Sequence, residues 1–153
     1  MLQTKINSTE YKKILENMPI CCVDVVICHC NKILLVYRNN EPAKNEWWFP
    51  GGRVYKNERL EEAAVRKTSE EVGIKVQIIK MIGIYETMFD KGPFDDLKSG
   101  VHTINIYFLV KPTLENFKIK IDDTSSDYRW IDKIEENLHP YVKKVLKNLR
   151  FFV

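Results

Sequence analysis

A group of carboxylates follows a pair of glycines near the middle of the chain. Gly51 and Gly52 precede Glu58, and Glu70 and Glu71 end the charged segment that comes next. Glycine lets the backbone turn tightly and bring a carbonyl close to a ligand. Two adjacent carboxylates and a nearby carbonyl form a hard oxygen site suited to Mg²⁺ or Mn²⁺, and such an ion binds a diphosphate-bearing substrate. The segment therefore predicts a metal-dependent phosphate site.

The same charges also permit a plainer interpretation. On a helix, Arg66 lies beside Glu70 and Lys67 beside Glu71, because residues four apart share a face. A solvent-exposed helix with ion pairs along its surface carries the same residue types. On the charges alone, both interpretations stay open.

The spacing of the charged residues favours the first interpretation. Gly52 is followed after five residues by Glu58 and after seven more by Arg66, and the segment closes with residues 70–74, EEVGI. This arrangement resembles the Nudix box, G-x5-E-x7-R-E-U-x-E-E-x-G-U, where U is a bulky apolar residue. The resemblance implies an α/β (α+β) fold, namely an α/β/α sandwich with a mixed central sheet. In that fold a loop–helix–loop presents a Mg²⁺–diphosphate site.

Two departures from this pattern indicate one subgroup of the family. Lys67 stands where the family has its first helical Glu, and Thr68 stands where it has an apolar residue. The GDP-mannose mannosyl hydrolases also lack that Glu and have Thr next. The similarity extends over most of the chain, including residues 37–54 and 125–130. These relatives hydrolyse the C1–O bond of the sugar rather than a P–O bond, and they release GDP and mannose.

The resemblance therefore implies a Mg²⁺-dependent hydrolase, with Mn²⁺ as an alternative metal, that acts on a nucleoside diphosphate sugar such as GDP-mannose or GDP-glucose. Two alternatives remain open. One is a pyrophosphohydrolase that cleaves a P–O bond in an ADP-ribose-like or nucleoside triphosphate substrate. The other is a nucleotide-sugar-binding protein without catalysis.

The resemblance also implies roles for individual residues. The Gly51 carbonyl and Glu71 correspond to magnesium ligands, and Glu70 adds one ordinary Nudix carboxylate to the metal site. Asp24 corresponds to a carboxylate near the sugar, and three arginines correspond to residues near the diphosphate, where a planar guanidinium suits phosphate oxygens. The expected catalytic residues are Arg66, Glu70, Glu71 and Asp24, and the expected substrate-binding residues are Arg38, Arg53, Arg66 and Asp24.

Other subgroup residues are not present. Ser125 replaces the general-base histidine, Thr124 replaces a glutamine ligand, and Thr103 replaces a tyrosine that assists the departure of GDP. Serine has no suitable pKa to act as a base at neutral pH. The bond that is broken therefore stays open at this stage.

Lys67 bears on the number of metal ions. A protonated lysine cannot ligate Mg²⁺, but it can pair with Glu71 or reach a substrate phosphate. Its charge also repels further cations at short range. We therefore expect one tightly bound Mg²⁺ rather than a cluster.

Asp24 is unusual independently of any resemblance. It interrupts the apolar run of residues 18–28. A buried charge costs several kcal/mol unless it faces a polar site or has a partner. Asp24 is therefore expected either at a functional site or in a paired or edge-facing position.

All four cysteines lie between residues 21 and 30. A zinc site with His29 is one interpretation of the run Cys28-His29-Cys30. On a strand, however, His29 points away from the face that the two cysteines share. We therefore expect small, buried strand residues in a reducing compartment.

Local patterns predict helices over Ser8–Asn17, capped by Ser8 or Thr9, over Leu60–Val72, capped by Gly73, and over Pro140–Leu149. Strands are expected over residues 20–28, 33–38, 76–85, 102–110 and 128–131, with a hairpin turn at Asn31-Lys32. Residues 39–46 and 90–100 are expected to form loops.

The length of 153 residues fits one domain, 1–153. A net charge of +3 is too small to argue for nucleic acid or membrane binding. The polar first residues do not resemble a signal peptide, so we expect a cytoplasmic protein. The N-terminal helix has an apolar edge and resembles the element through which the mannosyl hydrolases dimerise, so we expect a homodimer.

Overall fold

The computed structural model describes residues 6–152, which form three helices and one seven-stranded sheet. The helices are α1 (Ser8–Asn17), α2 (Leu60–Val72) and α3 (Pro140–Leu149), with the bounds that the sequence predicts. The strands are β1 (Ile20–His29), β2 (Lys32–Arg38), β3 (Trp47–Trp48), β4 (Gly51–Arg53), β5 (Val76–Phe89), β6 (Val101–Pro112) and β7 (Ser125–Ile131). None of the helices within residues 6–152 is long and apolar enough to cross a membrane.

The sheet is mixed. Its main path runs β3-β2-β1-β6-β5, while β4 pairs with β1 and β7 with β2. The central pair, β1 and β6, is parallel, and the other pairs are antiparallel. This arrangement confirms the predicted fold class.

Helices pack against the sheet on both of its faces. Successive strand residues point to opposite faces, so β1 contributes Val25 to one core and Val26 to the other. The first core contains Ala63 and Ala64 of α2. The second contains Val142 of α3. Burial of these apolar side chains from both sides stabilises the sandwich.

The structure corrects two local predictions, one for the hairpin turn and one for the N-cap of α1. The hairpin turn is Cys30-Asn31, one residue earlier than predicted, and its two residues have φ of 48° and 58°. Positive φ at both positions is typical of the tight turn that matches strand twist. The N-cap of α1 is Asn7, whose side chain accepts a hydrogen bond from the Glu10 amide, rather than Ser8 or Thr9.

The strands differ from the predicted ranges mainly at their ends. β5 continues to Phe89, β6 covers 101–112 and β7 begins at Ser125, while the short strands β3 and β4 were not predicted. In these extensions polar residues pair across the sheet, as Thr87 does with Thr103. Partners from distant parts of the chain hold these residues in strands, which local hydrophobicity does not reveal.

The prediction that the cysteines are buried is wrong. Cys21 and Cys30 are exposed, and Cys22 and Cys28 are partly buried, all as free thiols. Cys30 lies in the hairpin turn, where its side chain leaves the sheet. In the part of the chain that the structure describes, no three His, Cys, Asp or Glu side chains are grouped to hold a metal ion, so the zinc interpretation gains no support.

Candidate active site

The site is built where β4 and α2 meet β1. β4 pairs with β1 so that Gly51 is the direct neighbour of Asp24. A Cβ at Gly51 would lie 2.5 Å from Asp24 Oδ1 and from the Val23 carbonyl oxygen. Only glycine therefore fits here, and its backbone comes close to the carboxylate that the sequence singled out.

Glu71 connects α2 to this strand pair. Its side chain is buried, and its Oε2 accepts a hydrogen bond of 3.1 Å from the Gly51 amide. Its Oε1 lies 3.0 Å from Lys67 Nζ. Burial raises the pKa of Glu71, and the Lys67 ammonium partly opposes that shift. Two of the three predicted metal-site residues, Gly51 and Glu71, are thus in contact through the Gly51 amide.

Arg66 is engaged within the loop–helix–loop. Its guanidinium donates to Glu58 Oε2 at 2.9 Å and to the Arg53 carbonyl at 3.0 Å, and it lies 3.2 Å from Glu70 Oε2. It also stacks over the Tyr55 ring at 3.8 Å. The hydrogen bonds from Arg66 lower the pKa of Glu58. Arg66 therefore holds the segment together, as its spacing from Glu70 predicts.

Lys67 lies between the two adjacent carboxylates. Its Nζ is 3.0 Å from Glu71 Oε1 and 3.4 Å from Glu70 Oε2. Its methylenes cover Gly52, where a Cβ would lie 2.7 Å from Lys67 Cε. Burial acts to lower the pKa of Lys67, but the Glu71 and Glu70 carboxylates outweigh that effect and raise it. The residues of the candidate metal site are therefore also the residues that form ion pairs along this face of α2.

The donor set fits a single divalent cation. Glu71 offers a carboxylate beside the Gly51 backbone, whereas Glu70 is half-exposed and pairs with Arg66 and Lys67. Mg²⁺ is commonly bound through one or two carboxylates and is completed by water and substrate phosphates. Across residues 6–152 no three acidic, histidine or cysteine side chains are grouped to hold a metal ion by themselves, so a cation here would also need backbone oxygen, water and substrate phosphates.

A cavity of about 520 Å³ opens beside Gly51, within the size range of small-molecule sites. Arg38 and Arg53 line its wall, together with the aromatic side chains of Trp48 and Phe89. Arg38 donates from Nε to the Pro42 carbonyl at 2.9 Å, and the Arg53 guanidinium lies 4.7 Å from the centre of the Tyr11 ring. Among the described residues neither arginine pairs with a carboxylate, so both are available for an anion.

Asp24 lines the same cavity and is 5% exposed. Its Oδ2 accepts a hydrogen bond of 2.6 Å from Asn105 Nδ2, which is the partner that a buried charge requires. Burial raises the pKa of Asp24 to about 7, against the lowering effects of Asn105 and Arg38. Asn105 was missed from the sequence, although a polar residue on an apolar strand was a signal that could have found it.

Ser125, which replaces the general-base histidine of the mannosyl hydrolases, pairs with Arg38 in the β2–β7 ladder and is buried. Thr124 donates a hydrogen bond to Asp122. The structure brings Asp24, Arg38, Arg53 and Gly51 together around one cavity, and Glu71 contacts Gly51 from α2.

A family model described as the NUDIX domain matches residues 18–149. The chain therefore belongs to the Nudix hydrolase family. Members of this family act on small-molecule nucleotides and generally use divalent metal ions.

Two relatives show different degrees of similarity. Over 146 residues the chain is 37% identical to the low-salt glycan biosynthesis protein Agl8 of Haloferax volcanii, a match that covers 95% of this chain and 92% of the relative. Over 92 residues it is 37% identical to the ADP-ribose pyrophosphatase of Methanocaldococcus jannaschii, covering 60% of this chain and 50% of that protein.

Solved structures support the fold. The MutT NUDIX hydrolase from Burkholderia pseudomallei superimposes with a TM-score of 0.70 at 21% identity, covering 86% of this chain and 98% of that one. The MutT protein from Methanosarcina mazei Go1 gives a TM-score of 0.71 at 23% identity, covering 87% and 94%. At these identities the likeness concerns the fold alone.

Proposed function

We propose that the protein is a Mg²⁺-dependent hydrolase of a nucleoside diphosphate sugar, with GDP-mannose and GDP-glucose as the first substrates to test. The observation that carries this proposal is the cavity lined by two arginines, a buried aspartate and Gly51, the residue whose amide binds Glu71. The similarity of nearly the whole chain to a protein named for glycan biosynthesis also favours a sugar-related substrate.

Different residues interact with different parts of the substrate. Arg38 and Arg53 bind the diphosphate, because planar guanidinium groups match phosphate oxygens. Glu71 and the Gly51 carbonyl hold Mg²⁺, with Glu70 as a neighbouring carboxylate, and Arg66 keeps the helix in place for them. When bound, Mg²⁺ neutralises charge on the diphosphate. Asp24 is the catalytic carboxylate at the sugar end, where it orients the attacking water.

Cleavage of a P–O bond is the second candidate. It is favoured by Glu70, an ordinary Nudix carboxylate, and by the absence of the mannosyl-hydrolase histidine and tyrosine at Ser125 and Thr103. The similarity to an ADP-ribose pyrophosphatase over part of the chain supports the same candidate.

Turnover in ¹⁸O-labelled water tests the proposal. We expect turnover of GDP-mannose or GDP-glucose only with Mg²⁺ or Mn²⁺, and we expect the label in the released sugar. Label in a phosphate would instead establish P–O cleavage. Binding of these sugar nucleotides without turnover, both with and without a divalent cation, would support the non-catalytic alternative.

Lys67 is expected to limit the site to one tightly bound ion. Lys67→Glu replaces the ammonium between Glu70 and Glu71 with a third carboxylate, so it should raise metal stoichiometry above one and shift the products towards P–O cleavage. A Mn²⁺ titration that is monitored by electron paramagnetic resonance, with a non-hydrolysable diphosphate present, measures the number of ions bound per chain. Lys80→Glu, at an exposed position on β5, is the matched charge control. A stoichiometry of two or more in both wild type and variant would contradict this role.

We also propose a cytoplasmic homodimer that contacts neither nucleic acid nor membrane. The free thiols fit a reducing compartment. The exposed side of α1 is the proposed contact. Light scattering at micromolar concentration should give twice the chain mass of 18.1 kDa; a monomeric mass would refute the dimer.

A further inference from the structure

Four buried polar side chains form a continuous row along the cavity. Thr87 comes from β5, Thr103 and Asn105 from β6, and Asp24 from β1, and none is more than 8% exposed. All four line the cavity. We call them the polar row. Buried polar groups are costly unless they are hydrogen-bonded, so such a row on an otherwise apolar sheet requires an explanation.

The hydrogen bonds of the polar row run in one direction. An ionised carboxylate only accepts, so the Asn105 amide nitrogen donates to Asp24 Oδ2 at 2.6 Å. The Asn105 oxygen then accepts from Thr103 Oγ1, also at 2.6 Å. The Thr103 hydroxyl has a single hydrogen, so towards Thr87 Oγ1 it accepts. Both threonine hydrogens are therefore engaged inside the protein.

This direction decides what the polar row offers to a ligand. The two hydroxyl oxygens and the second oxygen of Asp24 retain lone pairs, and Asn105 retains one amide hydrogen. A ligand with several O–H donors satisfies these groups. A ligand without such donors leaves them unpaired, and sites of this kind discriminate strongly against analogues that lack the hydroxyl.

We propose that the polar row is the sugar-recognition site of the cavity, and that Thr87, Thr103 and Asn105 determine specificity for the sugar by receiving its ring hydroxyls together with Asp24. This inference rests on the proposed function. Arg38 and Arg53 bind the diphosphate at the same cavity, which leaves the polar row for the hydroxyl-rich group attached to it.

Thr103→Val removes the central hydroxyl with little change in shape. Dissociation constants are measured by calorimetry at pH 8 with Ca²⁺ in place of Mg²⁺, for GDP-mannose against GDP, UDP-glucose against UDP and ADP-ribose against ADP. We expect wild type to bind at least one sugar nucleotide more tightly than its nucleoside diphosphate. Thr103→Val should weaken that sugar nucleotide about ten-fold and leave the nucleoside diphosphate within about two-fold.

Two variants separate recognition from packing. Thr103→Ser keeps the hydroxyl and should keep the affinity ratio near that of wild type. Thr113→Val removes an exposed hydroxyl that also bonds to a backbone carbonyl, and it should change neither affinity. If Thr103→Val does not fold, Thr87→Val takes its place, with the same expected loss.

The inference is overturned if wild type shows no preference for any sugar nucleotide, or if the variant leaves the ratio unchanged. Equal weakening of both ligands would place the nucleoside at the polar row instead. A Thr103→Ser variant that behaves like Thr103→Val would show a packing role alone. Turnover by a wild-type protein that shows no preference for a sugar nucleotide sinks only this inference. A preference that Thr103→Val abolishes, in a protein without turnover, sinks only the proposed hydrolysis.

Discussion

Glu71→Gln is expected to lower turnover by at least about 100-fold with little change in stability. Loss of groups that merely support metal ligands typically costs about 10- to 100-fold, and Glu71 is itself the proposed ligand. Glutamine keeps the size of the side chain, and its amide oxygen can still accept from the Gly51 amide. It removes the charge that a hard cation requires. Steady-state turnover and Mn²⁺ affinity, measured on the same preparation, test this expectation.

The matched control for this variant is Glu61→Gln, an exposed position on the first turn of the same helix. It removes the same charge and should leave both turnover and Mn²⁺ affinity near wild type. Near-normal turnover of Glu71→Gln would show that the metal assignment is wrong. A large fall in melting temperature would show that Glu71 acts through folding.

Asp24→Asn is expected to abolish most activity and yet stabilise the protein at alkaline pH. The carboxylate is buried against Asn105, and asparagine retains an oxygen that can accept the same hydrogen bond. Removal of the charge from the proposed sugar end should lower turnover by on the order of 100-fold, the usual contribution of a general acid–base group. Turnover and nucleotide affinity are measured for wild type and Asp24→Asn. A fall in turnover without a matching fall in affinity shows an effect on the chemical step.

The effect on stability follows from the raised pKa. Burial raises the pKa of Asp24 from 3.8 to about 7, so the folded protein favours the protonated form. The stabilisation that protonated Asp24 gives to the folded protein is fully present below the pKa of Asp24 in the unfolded chain. It is lost as pH rises through about 7, the pKa of Asp24 in the folded protein. Asparagine is not subject to this loss, so the variant should be more stable than wild type at pH 8, by on the order of a few kcal/mol.

Urea unfolding of both proteins between pH 4 and pH 9, without divalent cations, measures this difference. The free energy of unfolding of wild type should fall relative to the variant between pH 4 and pH 8. Asp127→Asn, at an exposed position on β7, controls for the loss of one charge. A constant difference between wild type and Asp24→Asn across the range would contradict a raised pKa in the folded state.

Much of the candidate active-site segment was determined by the sequence alone. The bounds of α2, its glycine cap and the neighbour relations of Arg66 with Glu70 and Lys67 with Glu71 all follow from helical periodicity. Gly73 ends the helix at φ 71°, as the position of the glycine predicts. These features depend on residues close together in the chain, so local rules suffice.

Only the tertiary structure decided what surrounds Asp24. The sequence marked this aspartate as anomalous, but its partner Asn105 lies 81 residues away and reaches it through the parallel pairing of β1 and β6. Thr87 and Thr103 likewise meet through the register of β5 against β6. Such pairings depend on how distant strands align, which no local pattern encodes. The exposure of Cys21 has the same origin, since burial depends on what packs over a strand rather than on the residue type.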